Sequence, residues 1–239
     1  MKFGIYVLIA CTFFFSCKDQ NVETKTSNET YLFSKDSTSN LKIEKIDTSY
    51  VSKNFKYNGK VKDVIKWVDK QGTHIVFTCQ NFYYSDFKND TVSINIDNEE
   101  KIIYEETYKQ NAEIFCYHYK LENNKYKLEW KLYDNSLKCP VDAIAKFIEK
   151  SIEITNLNKN ETPEIWIMYS TACKGDVSPN NLYLIMYEGD NKYKIQGTSL
   201  IDYIKNEKYG GEINYKDNFN NDKVLLNYAL KKWQKNIRG

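Results

Sequence analysis

Residues 151–187 contain two short runs that leave a chain little choice of architecture. EIWIMYS and LYLIMYEG are apolar at odd and even positions alike. Successive side chains of a strand point to opposite faces, so such runs need cover on both sides, as in the middle of a layered β structure. Just upstream, SIEITNLN alternates Ile152 and Ile154 with polar neighbours before an Asn-rich turn. It reads as a strand hairpinned to 164–169. Between the two apolar runs lies the polar interruption TACKGDVSPNN, a loop that leaves the sheet and returns to it.

The flanking segments read mostly as further hairpins. VKDVIKWV and THIVFTC surround a turn ending at Gly72, with Ile75, Phe77 and Cys79 on one face of the second strand. EIFCYHYK and YKLEWKLYD surround the turn ENNK. There Tyr126, Leu128, Trp130 and Leu132 alternate with Lys127, Glu129 and Lys131, predicting one buried and one wet face. The long polar stretch 80–101 holds one short β-like piece, SINI, and is expected to be an excursion from the sheet. VDAIAKFIEKS fits a short helix and a strand equally, and EGDNKYKIQG makes another hairpin. Val224, Leu225, Tyr228, Ala229 and Trp233 share one side at helical spacing after an Asn/Asp cap. The expected fold is mainly β: an antiparallel hairpin meander, as a curved sheet or sandwich, with a C-terminal amphipathic helix.

The first residues belong to a different kind of segment. Met1-Lys2 precedes the 14-residue run FGIYVLIACTFFFS, too short to span a bilayer and of the length of a signal-peptide core. Ser16-Cys17 at its end resembles a bacterial lipoprotein processing site, with Phe14 where that pattern has Leu. Cys11 is the competing acylation site, but its use would leave TFFFS on the mature chain. The organisation expected is a signal peptide over 1–16, an acylated Cys17 with a flexible polar tether over 17–42, and one β-rich domain over 43–239. The protein is then anchored to the outer membrane on its periplasmic or surface side. Loss of Lys2 takes the formal charge from +2 to +1, and acids and bases interleave throughout. No basic field points to nucleic acid.

Four cysteines remain in the body: Cys79, Cys116, Cys139 and Cys173. In an exported chain an even count predicts disulfides. Cys139 and Cys173 flank the central hairpin, whose ends return to one end of the sheet, so they are the expected pair. Cys79 and Cys116 form the less certain second. No CxxC spacing occurs and His74 and His118 are the only histidines, so neither zinc, nor redox chemistry, nor any other cofactor is expected. His74 reads as structural, at a strand start.

Two loops invite a chemical reading. Asn156, Asn158, Asn160 and Glu164 are similar in spacing to the DxNxDGxxE calcium loop of FG-GAP-type repeats. Two expected Asp are Asn, and Glu161 stands in place of the turn Gly. Glu164 is the sole carboxylate in register, so the loop reads as degenerate and no metal is assigned. Lys174, Gly175, Asp176, Val177, Ser178 and Pro179 form the candidate binding loop because they interrupt two buried strands. Asp176 and Ser178 have no nearby His and no GxSxG elbow, so no catalytic residue is assigned and no enzyme is expected.

Trp67-x-Asp69 with Gly72, Cys139-Pro-Val-Asp142, Ile154-Thr-Asn-Leu-Asn158 with Glu164-Ile-Trp166, Cys173-Lys-Gly-Asp-Val-Ser-Pro179 and Ile185-Met-Tyr-Glu-Gly189 resemble a family of flavobacterial (Bacteroidota) lipoproteins. That family is catalogued under surface polysaccharide (lipopolysaccharide) biosynthesis. The resemblance spans roughly 61–235. It implies an accessory role in assembling or displaying surface glycan, and it supplies no catalytic residues. The alternative is a carbohydrate- or protein-binding surface module. The expected partners are the membrane, through the lipid, and surface glycan or its assembly proteins.

Overall fold

A computed structural model describes residues 41–96, 99–202, 207–215, 219 and 222–238, with the backbone alone over 87–106. The expected leader, Cys11, Cys17 and the expected tether up to residue 40 lie outside the described residues. Two antiparallel sheets are stacked on each other, each covered on its outer face by a helix. The first sheet contains β1 (Lys42–Lys45), β2 (Lys60–Asp69), β3 (Gly72–Ile96), β4 (Glu99–Glu122) and β5 (Lys125–Cys139), in that spatial order. A short helix, α1 (Ser49–Asn54), joins β1 to β2.

The second sheet runs β13-β10-β9-β8-β6, with β7 also paired to β8. Its members are β6 (Asp142–Phe147), β7 (Glu153–Thr155), β8 (Glu164–Lys174), β9 (Asn181–Glu188), β10 (Asn191–Thr198) and β13 (Ile213–Tyr215). A small ribbon pairs β11 (Leu200–Asp202) with β12 (Lys208–Gly210), and α2 (Lys223–Asn236) ends the chain.

Three apolar clusters explain this layering. Between the sheets lie Val76, Ile114, Cys116 and Leu132 from the first and Ile165, Ile167, Tyr169 and Ile185 from the second. Outside the second sheet, Trp166, Met168, Leu184 and Met186 pack against Leu225, Ala229 and Trp233 of α2. Outside the first, Ile75, Phe77 and Cys79 meet Val51 of α1 and the Phe55 ring. β8 and β9 are therefore buried on both faces, as their continuous apolar runs require. The Asp222 carboxylate caps α2, accepting from the N–H groups of Val224 at 2.9 Å and Leu225 at 3.1 Å.

Three sequence expectations need correction or completion. The stretch 80–101 is no excursion: β3 continues to Ile96 and pairs with β4 from His74↔Lys120 out to Ile96↔Glu99. β2 leaves off at Gln80 and β5 at Gln110, so beyond Tyr84 the hairpin is a two-stranded arm. The arm's sequence is mostly polar, with no continuous apolar run to mark it as a packed strand. The ambiguous VDAIAKFIEKS supplies strand β6, paired with β8. The alternating residues of β5 do not share one face. A bulge at Glu129 shifts the register between His118↔Trp130 and Tyr119↔Leu128, placing Tyr126 with the α1 cluster and Leu132 between the sheets.

Cys139 and Cys173 form a disulfide with their Cα atoms 5.5 Å apart. It joins the end of β5 to β8, so it fastens one sheet to the other. Cys79 and Cys116 are free. They sit on paired strands, opposite Phe115 and Thr78 respectively, but adjacent positions face opposite sides of the pleat. Cys79 points to the α1 cluster and Cys116 into the intersheet core, so their Cβ vectors diverge and no bond forms.

Two stability outcomes follow from this packing. Trp233→Ala removes a fully buried ring from α2 and should lower the unfolding free energy by about 3–5 kcal/mol in urea titration. Val224, which helical spacing assigned to the same stripe, instead lies 53% exposed at the first turn, so Val224→Ala should change it by no more than about 0.5 kcal/mol. Comparable losses at both positions would contradict the packing described. The Cys139→Ser/Cys173→Ser variant opens a link spanning 34 residues and should lose about 3–4 kcal/mol. A non-reduced digest should yield the Cys139–Cys173 peptide, with Cys79 and Cys116 alkylated only after denaturation.

Candidate functional site

The loop after β8 is held by its own side chains. Asp176 Oδ1 accepts the backbone N–H of Ser178 at 3.0 Å and also its hydroxyl, and Lys174 Nζ donates to the Ser178 carbonyl. These bonds hold the Asp176 carboxyl below the usual carboxylate range. Asp176 and Ser178 thus build a turn, while Val177 at the tip is 62% exposed.

The calcium-like loop is likewise closed from within. Glu164, fully buried, accepts the Thr155 hydroxyl at 2.6 Å and the Leu157 N–H at 3.0 Å. The amides of Asn158 and Asn160 both donate to Glu188 Oε1, at 2.6 and 2.7 Å. Amide N–H groups thus satisfy the nearby carboxylate, and Asn156 lies at the head of the same turn. Among the described residues no group of three or more His, Cys, Asp or Glu is arranged to hold a metal.

Two features of the first sheet were not legible as sites. One is a strip of exposed rings where the arm leaves the sheet. Phe82, Tyr84 and Tyr108 are 52%, 47% and 45% exposed. Phe82 meets Tyr84 edge-on at 5.3 Å, and Tyr84 meets Tyr108 edge-on at 4.8 Å. Asn111, buried beneath, stitches the base of the arm: its amide donates to Ser85 Oγ at 2.8 Å and its oxygen accepts the Lys138 N–H at 2.9 Å.

The other lies at the opposite end of β3. His74 and His118, 44 residues apart, are in contact, with His74 Nδ1 3.1 Å from His118 Nε2. Trp67 stacks on both imidazoles, at 4.9 and 5.1 Å. The Trp67 indole N–H donates to Asp69 Oδ2 at 3.0 Å, while Asp69 Oδ1 accepts from the N–H groups of Gln71 and Gly72. That oxygen also lies 3.3 Å from His74 Nε2. The β5 bulge sets Trp130 beside His118, ring centroids 5.2 Å apart, and Trp130 stacks on Tyr187 of the facing sheet at 3.9 Å. Trp67, Asp69, Gln71, His74, His118 and Trp130 line a cavity of about 190 Å³, bounded on the other side by Thr162, Pro163 and Asp190.

Within this wall three buried nitrogens lack a hydrogen-bond partner: His74 Nε2, His118 Nδ1 and Trp130 Nε1. Burial pushes the His74 imidazole below its ordinary value, against the pull of Asp69. It pushes His118 down to about 3, assisted by the positive charges that His74 and Lys120 would present. Both rings are neutral at pH 7. A wider cavity of about 490 Å³, lined by Lys62, Asp63, Lys146 and Glu149 among others, balances its charges and contains no such orphaned atom.

No protein-family model, no curated protein and no solved structure matches the chain.

The neutral histidines have a consequence for acid stability. The unfolded chain takes up their protons near pH 6.5, the folded chain only at lower pH, so stability falls as pH drops below about 6.5. Between pH 6.5 and 4.5, His118 should account for about 2–3 kcal/mol of that fall. Urea titrations across this range should show a shallower pH slope for His118→Phe than for the wild type. Equal slopes would mean that His118 is protonated in the folded protein.

Proposed function

We propose that this chain is an exported, lipid-anchored protein that contacts surface glycan, acting as an accessory in polysaccharide or lipopolysaccharide assembly or display at the outer membrane. It binds rather than catalyses. The observation that carries the reading is the strip Phe82–Tyr84–Tyr108: three rings about half exposed where the β3–β4 hairpin leaves the sheet. Exposed contiguous aromatics on a folded protein mark contact sites, and ring faces pack against the C–H faces of sugars while leaving hydroxyls in water. The leader ending at Cys17 and the intersheet disulfide support export, since disulfides persist in oxidising compartments. A formal charge of +2 supplies no field for a nucleic acid.

Purified surface polysaccharide should be retained by the wild-type protein and bound about tenfold more weakly by Phe82→Ala/Tyr84→Ala. A strain lacking the protein should show an altered lipopolysaccharide or polysaccharide profile. Undiminished retention by the double variant would remove the strip from glycan contact. An unchanged profile in the deletion strain would remove the assembly role.

A further inference from the structure

We propose that the cavity at His74, His118 and Trp130 is a binding site for a small neutral hydroxylated ligand, one saccharide unit or a polyol. A ligand hydroxyl donates to His118 Nδ1 and accepts from the Trp130 indole N–H.

The proton positions follow from the neighbours. Asp69 Oδ1 lies 3.3 Å from His74 Nε2, so a lone pair on that nitrogen would face a carboxylate; the proton sits there instead. Neutral His74 then carries its lone pair on Nδ1, which accepts from His118 Nε2–H across 3.1 Å. Neutral His118 is left with its lone pair on Nδ1, buried and without a partner in the protein. Asp69 thus sets the tautomer of His118 through His74. Asp69 is itself fixed by the Trp67 indole and by two backbone N–H groups of the β2–β3 turn.

Two residues of the lining, His118 and Trp130, therefore carry an unsatisfied acceptor and an unsatisfied donor. A buried polar group left unpaired is unfavourable, and two on one wall are an unusual concentration. A hydroxyl both donates and accepts, so one hydroxyl, or two adjacent ones, answers both. A simple cation offers nothing to the indole N–H. A carboxylate offers no proton to His118, and a carboxylate or a phosphate would alike meet Asp69, Glu129 and Asp190 around the same cavity. Volume narrows the class further. At about 30 Å³ per water, 190 Å³ is about six waters, enough for one sugar ring and too little for a chain. Gln71, Lys120 and Glu129 on the lining offer partners for the remaining hydroxyls.

The cavity is separate from the aromatic strip: His74 and Phe82 are eight residues apart on β3, about 27 Å at strand rise. The site deepens the glycan-contact reading and rests on it only for the choice of saccharides as probes.

The test uses the full chain in detergent, titrated with neutral monosaccharides and glycerol, with acetate and inorganic phosphate as ionic controls. Saturable quenching of tryptophan fluorescence by at least one neutral hydroxylated probe is expected. His118→Phe and Trp130→Phe should each weaken it about tenfold. Phe82→Ala/Tyr84→Ala should leave it unchanged while losing polysaccharide, which separates the failure of this site from failure of the strip. Because His118→Phe is a core substitution, the wild-type protein provides a second measurement. With only two histidines, its imidazole nitrogen resonances are resolvable, and the bound probe should shift His118 Nδ1 while Nε2 stays protonated. No saturable response to any neutral probe, a response to the anions alone, or an unmoved His118 Nδ1 resonance would each overturn the proposal.

Discussion

Two adjacent strands that are apolar on both faces set the terms for the whole molecule. β8 buries Ile165 and Ile167 on one side and Trp166 and Met168 on the other, and β9 does the same with Ile185 opposite Leu184 and Met186. One covering layer cannot satisfy such a pair, because the face left in water would expose a row of large apolar side chains. The first sheet takes one face and α2 the other. Burial of Trp233 and Ala229 therefore matters to the sheet as much as to the helix. The Lys232–Glu153 ion pair, at 2.6 Å, fixes the helix over β7 at the edge of that contact.

The first sheet solves the same problem unevenly along its length. Near α1 it is covered on both faces, with Phe55 packed against Phe77 and Tyr119. Farther along β3 and β4 the cover ends, and the hairpin continues as a two-stranded arm. The exposed rings sit at that boundary, where a strand that was core becomes surface. The disulfide ties β5 to β8 near the root of the arm, since Cys139 pairs in register with Gln110. The long hairpin is thus anchored to a covalently joined pair of sheets.

At the other end a single extra residue decides the local chemistry. Without the bulge at Glu129, the alternation of β5 would carry Trp130 to the same face as Tyr126 and Leu128. With it, Trp130 turns inward beside His118 and reaches Tyr187 across the sandwich. The histidines are neutral because burial penalises their charged form, and neutrality allows two imidazoles to share a hydrogen bond rather than repel.

Much of the architecture was written in residue order. The two-sided runs announced a layered β structure, the stripe through Trp233 announced a covering helix, and a cysteine either side of the central hairpin announced their bond. Such features are local: periodicity, a cap, the ends of a hairpin. What the sequence by itself could not determine was which strand the segment 80–101 would join. The arm pairs only with itself and its residues are mostly polar, so no continuous apolar run marks it. Misreading that segment hid the β3–β4 pairing, and with it the meeting of His74 and His118. The second cysteine pair failed for a related reason, since only register assigns neighbouring positions to opposite faces. Register and the β5 bulge are settled by packing between strands distant in the chain, and that packing, rather than any local pattern, assembled the cavity.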